Sequence, residues 1–168
     1  MQAMNQNNIT AAVVTVSDKG STGQRVDESG PAAVELLVGI GCEVLHCEIV
    51  PDERDIIRQT LIGLSDRVDL IITNGGTGLS PRDVTPEATR DVIDREIPGI
   101  AEHMRAEGMR FTRRSMLSRG VAGVRGATLI INLPGSPKAV KENLSVVSDV
   151  LIHAVEKIKG GMAECARE

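Results

Sequence analysis

The chain has 168 residues, a net charge of −4, and 41% apolar and 25% charged residues, the make-up of one globular domain that buries about two-thirds of its unfolded surface. Phe111 is the only aromatic residue, so base stacking lacks a platform and the acidic balance disfavours duplex grip; nucleic-acid binding is excluded as an expectation. No apolar run nears the ~18 residues of a membrane span, and residues 1–8 lack the basic and apolar regions of an export signal, so no membrane partner is expected and the expected compartment is the cytoplasm.

Residues 1–9 and 161–168 read as flexible tails around a single domain over 10–160. Ala11 to Ser17 is a β-branched run of buried-strand character. The polar, glycine-containing stretch from Asp18 to Asp27 reads as a loop. Ala32, Ala33, Leu36, Leu37 and Ile40 then recur at helical spacing between Glu28 and Gly41. Glu43 to Val50 is a second strand, which Pro51 ends, and Asp52 to Asp66 is a helix carrying Ile56, Leu61 and Leu64 on one side. Asp69 to Thr73 is a third strand, followed by a long glycine-rich loop from Asn74 to Val84.

Thr85-Pro86 reads as an N-cap with proline at the first helical position. A further helix is expected from Pro98 to about Arg114, and a last core strand from Ala127 to Leu133. Ser136-Pro137 repeats the cap-and-proline start. Val140, Leu144, Val147, Leu151, Val155 and Ile158 stripe one long closing helix, ended by Gly160-Gly161. Alternating strands and helices with short connections predict an α/β fold, a three-layer α/β/α sandwich with a mainly parallel central sheet.

Ligands of such sheets bind beyond the carboxyl ends of the strands. Segments 17–23, 51–53, 74–83 and 134–138 should therefore line one rim. Asn74-Gly75-Gly76-Thr77-Gly78 lets backbone amides approach an anion and adds a hydroxyl, although it is neither a Walker loop nor G-x-G-x-x-G, and an ordinary strand-end turn fits it too. Arg82 and Asp83 precede a helix, where they serve equally as a dipole-favoured acid and its solvated partner. Asp52 serves equally as a helix N-cap. Two carboxylates beside a phosphate nest are nevertheless what Mg²⁺ requires when it shares oxygen ligands with substrate phosphates. Pro134-Gly135-Ser136-Pro137-Lys138 combines a helix N-terminus, a hydroxyl and a positive charge, a second anion site or simply a capped helix. Ser17 and Asp18 follow the first strand and are weaker candidates. Among Arg105, Arg110, Arg113, Arg114 and Arg119, the last is the best placed to reach a ligand. Cys42, Cys47 and Cys165 show no C-x-x-C spacing, and His46 and Cys47 point to opposite faces of a strand, so they do not share one ion.

Thr15-Val-Ser-Asp18, Thr73-Asn-Gly-Gly-Thr-Gly78, Arg82-Asp-Val-Thr-Pro-Glu-Ala-Thr89, Leu117-Ser-Arg119 and Leu129-Ile-Ile-Asn-Leu-Pro-Gly-Ser-Pro137 occur in this order. Together they resemble the MogA/MoaB family of molybdenum cofactor biosynthesis over about residues 10 to 160. The resemblance implies a usually trimeric α/β/α protein, with a hexamer as the other arrangement, that binds molybdopterin and ATP. It implies Mg²⁺-dependent adenylylation, in which the terminal phosphate of molybdopterin attacks the α-phosphate of ATP and pyrophosphate leaves. The family's two essential aspartates fall on Asp52 and Asp83. The pterin and phosphate contacts fall on Gly75, Gly76, Thr77, Gly78, Pro134, Gly135 and Ser136, with Ser118, Arg119 and Asn132 assisting. The sequence departs from the family at Asn74, where many relatives carry Thr, at Ala127, often Ser, and at Lys19, more often Arg. A binding protein of the MoaB type without adenylyltransferase activity is the alternative, and a transient contact with the molybdenum-insertion enzyme is a further implied partner.

Overall fold

The structure, a computed structural model, describes residues 9–161. The expected tails at 1–8 and 162–168, and Cys165 with them, lie outside the described residues. Ile9, assigned to the tail, instead packs in the core at 7% exposure, and its carbonyl accepts from Glu43 N at 2.8 Å. The element order is β1 Thr10–Val16, α1 Asp18–Ser21, α2 Ser29–Gly39, β2 Glu43–Val50, α3 Arg54–Ser65, β3 Leu70–Asn74, α4 Thr85–Arg90, β4 Arg95–Glu96, α5 Pro98–Gly108, a 3-10 turn Arg113–Leu117, β5 Ala122–Arg125, β6 Thr128–Leu133, α6 Pro137–Ser145 and α7 Ser148–Ile158.

The six strands form one sheet in the order β2-β1-β3-β6-β5-β4. The first four are mutually parallel, and β5 and β4 continue the sheet antiparallel. Strand side chains alternate between two cores, as the two-residue period requires. Ala11, Val13, Leu70, Ile72, Leu129 and Ile131 face the layer of α2, α5, α6 and α7, where Leu37, Met104, Leu144 and Leu151 close over them. Ala12, Val14, Ile71 and Ile130 face α3 and α4, covered by Ile57, Leu61 and Ala88. Each fully buried Leu or Ile contributes about 1.5–3 kcal/mol of transfer free energy. The expected three-layer architecture is the one observed.

Several local expectations need correcting. The Asp18–Asp27 loop contains a turn of helix, α1, because Ser17 Oγ accepts from Gly20 N at 3.0 Å and caps it. Thr85 is not the cap of α4, whose N-cap is Val84; the Thr85 hydroxyl is drawn inward to donate to Gly75 O at 2.9 Å. Nor does Asp52 cap α3, which starts at Arg54 behind Glu53. Helix α5 stops at Gly108, where an added Cβ would sit 2.2 Å from Ser115 Oγ of the 3-10 turn. The long closing helix is two helices, broken between Ser145 and Ser148. Strands β4 and β5, of two and four residues, are too short to announce themselves by periodicity.

Candidate active site

The four parallel strands end together. Ser17 N donates to Val50 O at 2.8 Å and Gly75 N to Leu133 O at 3.1 Å, tying the exit of β1 to β2 and that of β3 to β6. All four segments expected on the rim meet there. Ser17, Gly20, Asp52, Gly75, Gly76, Asp83, Gly135 and Ser136 line one cavity of about 620 Å³.

A second cavity of about 620 Å³ adjoins it, lined by Thr77, Gly78, Leu79, Leu117, Ser118, Pro134 and Ala139 among others. The two share Gly76, Asp83, Gly135 and Ser136, which form a waist between a polar lobe and a more apolar one. The glycines at the waist are required by geometry. Gly75 and Gly76 have φ of +103° and +65°. A Cβ on Gly76 would lie 2.3 Å from Thr85 Oγ1 and 3.1 Å from Asp52 Oδ1. A Cβ on Gly135 would meet Gly75 Cα at 3.2 Å, so the two loops touch backbone to backbone.

Asp52 and Asp18 brace each other. Asp18 N donates to Asp52 Oδ2 at 2.8 Å, and Asp52 N returns a bond to Asp18 Oδ1 at 3.0 Å. Partial burial raises the Asp52 carboxyl above its ordinary range, and the negative charges of Asp18 and Asp83 add to the rise. Asp18 is held low by the Arg82 guanidinium, which donates to both its oxygens at 3.0 and 2.9 Å and also to Glu53 at 2.9 Å. Asp83 Oδ2 accepts from Ser80 N at 2.9 Å, which anchors the end of the glycine loop.

Other expected site residues are committed elsewhere. Arg82 lines neither lobe and acts as a clamp between the loops after β1, β2 and β3. Arg119 donates to Gly78 O at 2.8 Å, to Asp83 O at 2.6 Å and to the Glu87 carboxylate, so it holds the glycine loop from behind. Asn132 is 1% exposed and fully used, donating to Thr73 and Thr89 hydroxyls at 2.9 Å and accepting from Val121 N. Lys138 projects outward, 3.8 Å from Glu142. Ser136 Oγ accepts from Ala139 N at 3.2 Å, the expected cap of α6.

The floor of the polar lobe contains a network that the sequence did not flag. Asp27 accepts from Thr15 Oγ1 at 2.6 Å, Ser29 Oγ at 2.9 Å, and the Ser29 and Gly30 amides at 3.0 Å. Burial alone would raise its pKa, but these bonds outweigh it and hold Asp27 ionised below its ordinary value. Both hydroxyl protons go to Asp27, so Thr15 and Ser29 can only accept from Asn74, whose Nδ2 donates at 3.0 and 2.6 Å. That fixes the Asn74 amide, leaving its buried Oδ1 without a hydrogen-bond partner among the described residues. The Asp27-Glu28-Ser29-Gly30 run at the start of α2 was the available signal, since an Asx side chain commonly takes up the free amides at a helix start.

A family model described as a probable molybdopterin-binding domain matches residues 12–153. The chain belongs to this molybdopterin-binding family. It is 42% identical to the molybdopterin adenylyltransferase of Helicobacter pylori strain J99 over 90% of this chain and 89% of that one. Identity to the Escherichia coli K12 molybdopterin adenylyltransferase is 41%, over 89% of this chain and 80% of that one. The chain also matches, at 46% identity, about a quarter of the Drosophila melanogaster molybdenum cofactor synthesis protein cinnamon, covering 26% of it. Among solved structures, the molybdopterin biosynthesis enzyme MoaB of Thermus thermophilus superimposes with a TM-score of 0.86 at 54% identity, over 90% of this chain and 97% of that one.

Proposed function

We propose that the chain catalyses the Mg-ATP-dependent adenylylation of molybdopterin, releasing adenylyl-molybdopterin and pyrophosphate in molybdenum cofactor biosynthesis. One observation carries the reading: two lobes of nucleotide size, one polar and one more apolar, meet at a waist of backbone amides and a carboxylate. The pterin substrate fits the lobe of Thr77, Gly78, Ser118 and Pro134, and the nucleotide fits the lobe of Ser17, Asp52 and Gly75. The reacting phosphates then meet at Gly76, Asp83, Gly135 and Ser136, where amides unhindered by Cβ atoms stabilise charge on phosphate oxygens. Phosphoryl-type transfer needs positioning and charge neutralisation more than covalent help.

The residues fit a Mg²⁺ ion. Asp52 is crowded by the charges of Asp18 and Asp83, and a hard cation held by the Asp52 and Asp83 carboxylates would relieve that crowding. When bound, the ion would neutralise triphosphate charge. Arg82 and Asp18 then act by position, since they lock Asp52 in place. A homotrimer and a cytoplasmic location belong to the same reading, and the exposed Met109 and Phe111 that follow α5 supply apolar surface for a subunit contact.

The test is direct. Protein, Mg-ATP and molybdopterin are mixed and the adenylylated product is sought by mass spectrometry. Product should form with wild type and be abolished in Asp52→Asn and Asp83→Asn while molybdopterin still binds. Binding without product in the wild type would replace the enzyme with a binding protein. Sedimentation gives the oligomeric state.

A further inference from the structure

Among the described residues, each lobe is lined by a single cationic side chain, Arg25 in the polar lobe and Arg114 in the other. Of the other basic groups beside the site, Arg82 is paired with Asp18 and Glu53, Arg119 with Glu87 and two carbonyls, and Lys138 lies near Glu142, while Lys19 is exposed and lines neither lobe. The Arg25 side chain is exposed and makes no hydrogen bond or ion pair with the described residues. Its backbone is nonetheless anchored. Arg25 N donates to Lys19 O at 3.1 Å, and two residues on, Asp27 is pinned by four hydrogen bonds. A free guanidinium is therefore held at the mouth of the polar lobe on a fixed base.

The polar lobe otherwise carries carboxylates: Asp27, Glu28, Asp52 and Asp83. A triphosphate entering it meets strong repulsion unless cations offset it, and Arg25 is the lobe's own source of positive charge. In-line displacement fixes where the leaving group goes. The nucleophilic phosphate comes from the apolar lobe and the α-phosphate sits at the waist, so the departing group extends away from the nucleophile, into the polar lobe.

We propose that Arg25 binds the β- and γ-phosphates of ATP and the pyrophosphate they become, while Arg114 serves the second substrate. This rests on the adenylyl-transfer reading. In the step, an oxygen of the molybdopterin phosphate bonds to the α-phosphorus as the bond to the bridging α–β oxygen breaks. That bond's electron pair leaves on pyrophosphate. Arg25 keeps its protons and donates hydrogen bonds to the accumulating charge, so it is a binding residue for the leaving group.

The experiment measures Mg-pyrophosphate affinity by calorimetry and by product inhibition, together with KM for ATP and Kd for molybdopterin. Arg25→Ala should weaken pyrophosphate and raise the KM for ATP about tenfold, as loss of a charge-assisted contact does. It should leave molybdopterin binding and the melting temperature unchanged, and Arg25→Lys should fall between. Arg114→Ala should show the reverse pattern, weaker molybdopterin with unaltered pyrophosphate. Unchanged pyrophosphate affinity in Arg25→Ala, in a wild type that forms product, overturns the inference alone. A wild type that neither binds Mg-ATP nor forms product overturns the functional reading beneath it.

Discussion

Gly75→Ala is the sharpest probe of the loop that joins the two lobes. A new Cβ there would sit 2.3 Å from the carbonyl oxygen of Val16, at a φ of +103° that side-chain-bearing residues rarely adopt. The backbone strain costs about 1–3 kcal/mol. The contact adds about 1–3 kcal/mol, because the obstructing atom belongs to the central strand β1 and cannot swing aside as a side-chain tip would. The loop has little room to yield, since Gly75 N is bonded to Leu133 O and Gly75 O to the Thr85 hydroxyl. The total is about 2–6 kcal/mol, and at about 2–4 °C per kcal/mol for a domain of this size the melting temperature should fall by between about 4 and 24 °C. Gly63→Ala is the internal control. Gly63 lies within α3 with nothing within 4 Å of a built Cβ, so alanine there should stabilise by up to about 1 kcal/mol through helix propensity. Scanning calorimetry of both variants gives the answer. A Gly75→Ala protein melting within 2 °C of wild type, as about a 1 kcal/mol change would allow, would refute the claim that β1 and the glycine loop are locked at contact distance.

Three further outcomes follow from the site's charges. Asp52→Asn should lose turnover yet raise the melting temperature of the metal-free protein near neutral pH: burial and the charges of Asp18 and Asp83 raise the Asp52 pKa in the folded state, so ionised Asp52 is a penalty that the isosteric amide removes. A lower melting temperature would contradict this. Arg82→Ala should narrow its stability gap to wild type on acidification, because Asp18 has its pKa depressed below the ordinary 3.8, and the pairing is in full effect above that value and lost as pH falls through the folded pKa; a gap that is constant down to about pH 2 would show that Asp18 is not the partner that matters. Arg82→Lys should recover only part of the lost activity in steady-state assays, since an ammonium cannot make both the bidentate contact to Asp18 and the bond to Glu53.

The sequence made the parallel core readable because each strand there is buried on both faces and appears as an apolar run, as in Leu70 to Ile72 and Leu129 to Ile131. The rim followed from topology, since successive parallel strands end on the same side. What escaped notice was tertiary. Strand β5 exists because it pairs with β6, and β4 because it pairs with β5; Ala122-Gly-Val-Arg has no period of its own. Arg82, Arg119 and Asn132 were visible as polar residues beside motifs, but whether such a side chain faces a ligand or a neighbouring loop depends on partners 29 to 64 residues away for Arg82. The same holds for Asp27, which looks like a loop aspartate until Thr15 and Asn74 arrive from other strands.

The reciprocal bonds between Asp18 and Asp52 join residues 34 positions apart, and the waist adds Gly135, which touches Gly75, 60 positions earlier in the chain. The contact of Gly135 with Gly75 cannot form in a chain emerging from synthesis until β6 has docked beside β3. Loop closures of this span are slow to form and are rewarded late. Catalytic competence should therefore arise as a final event of folding rather than accumulate gradually, which keeps a half-folded chain from engaging ATP before it can use it.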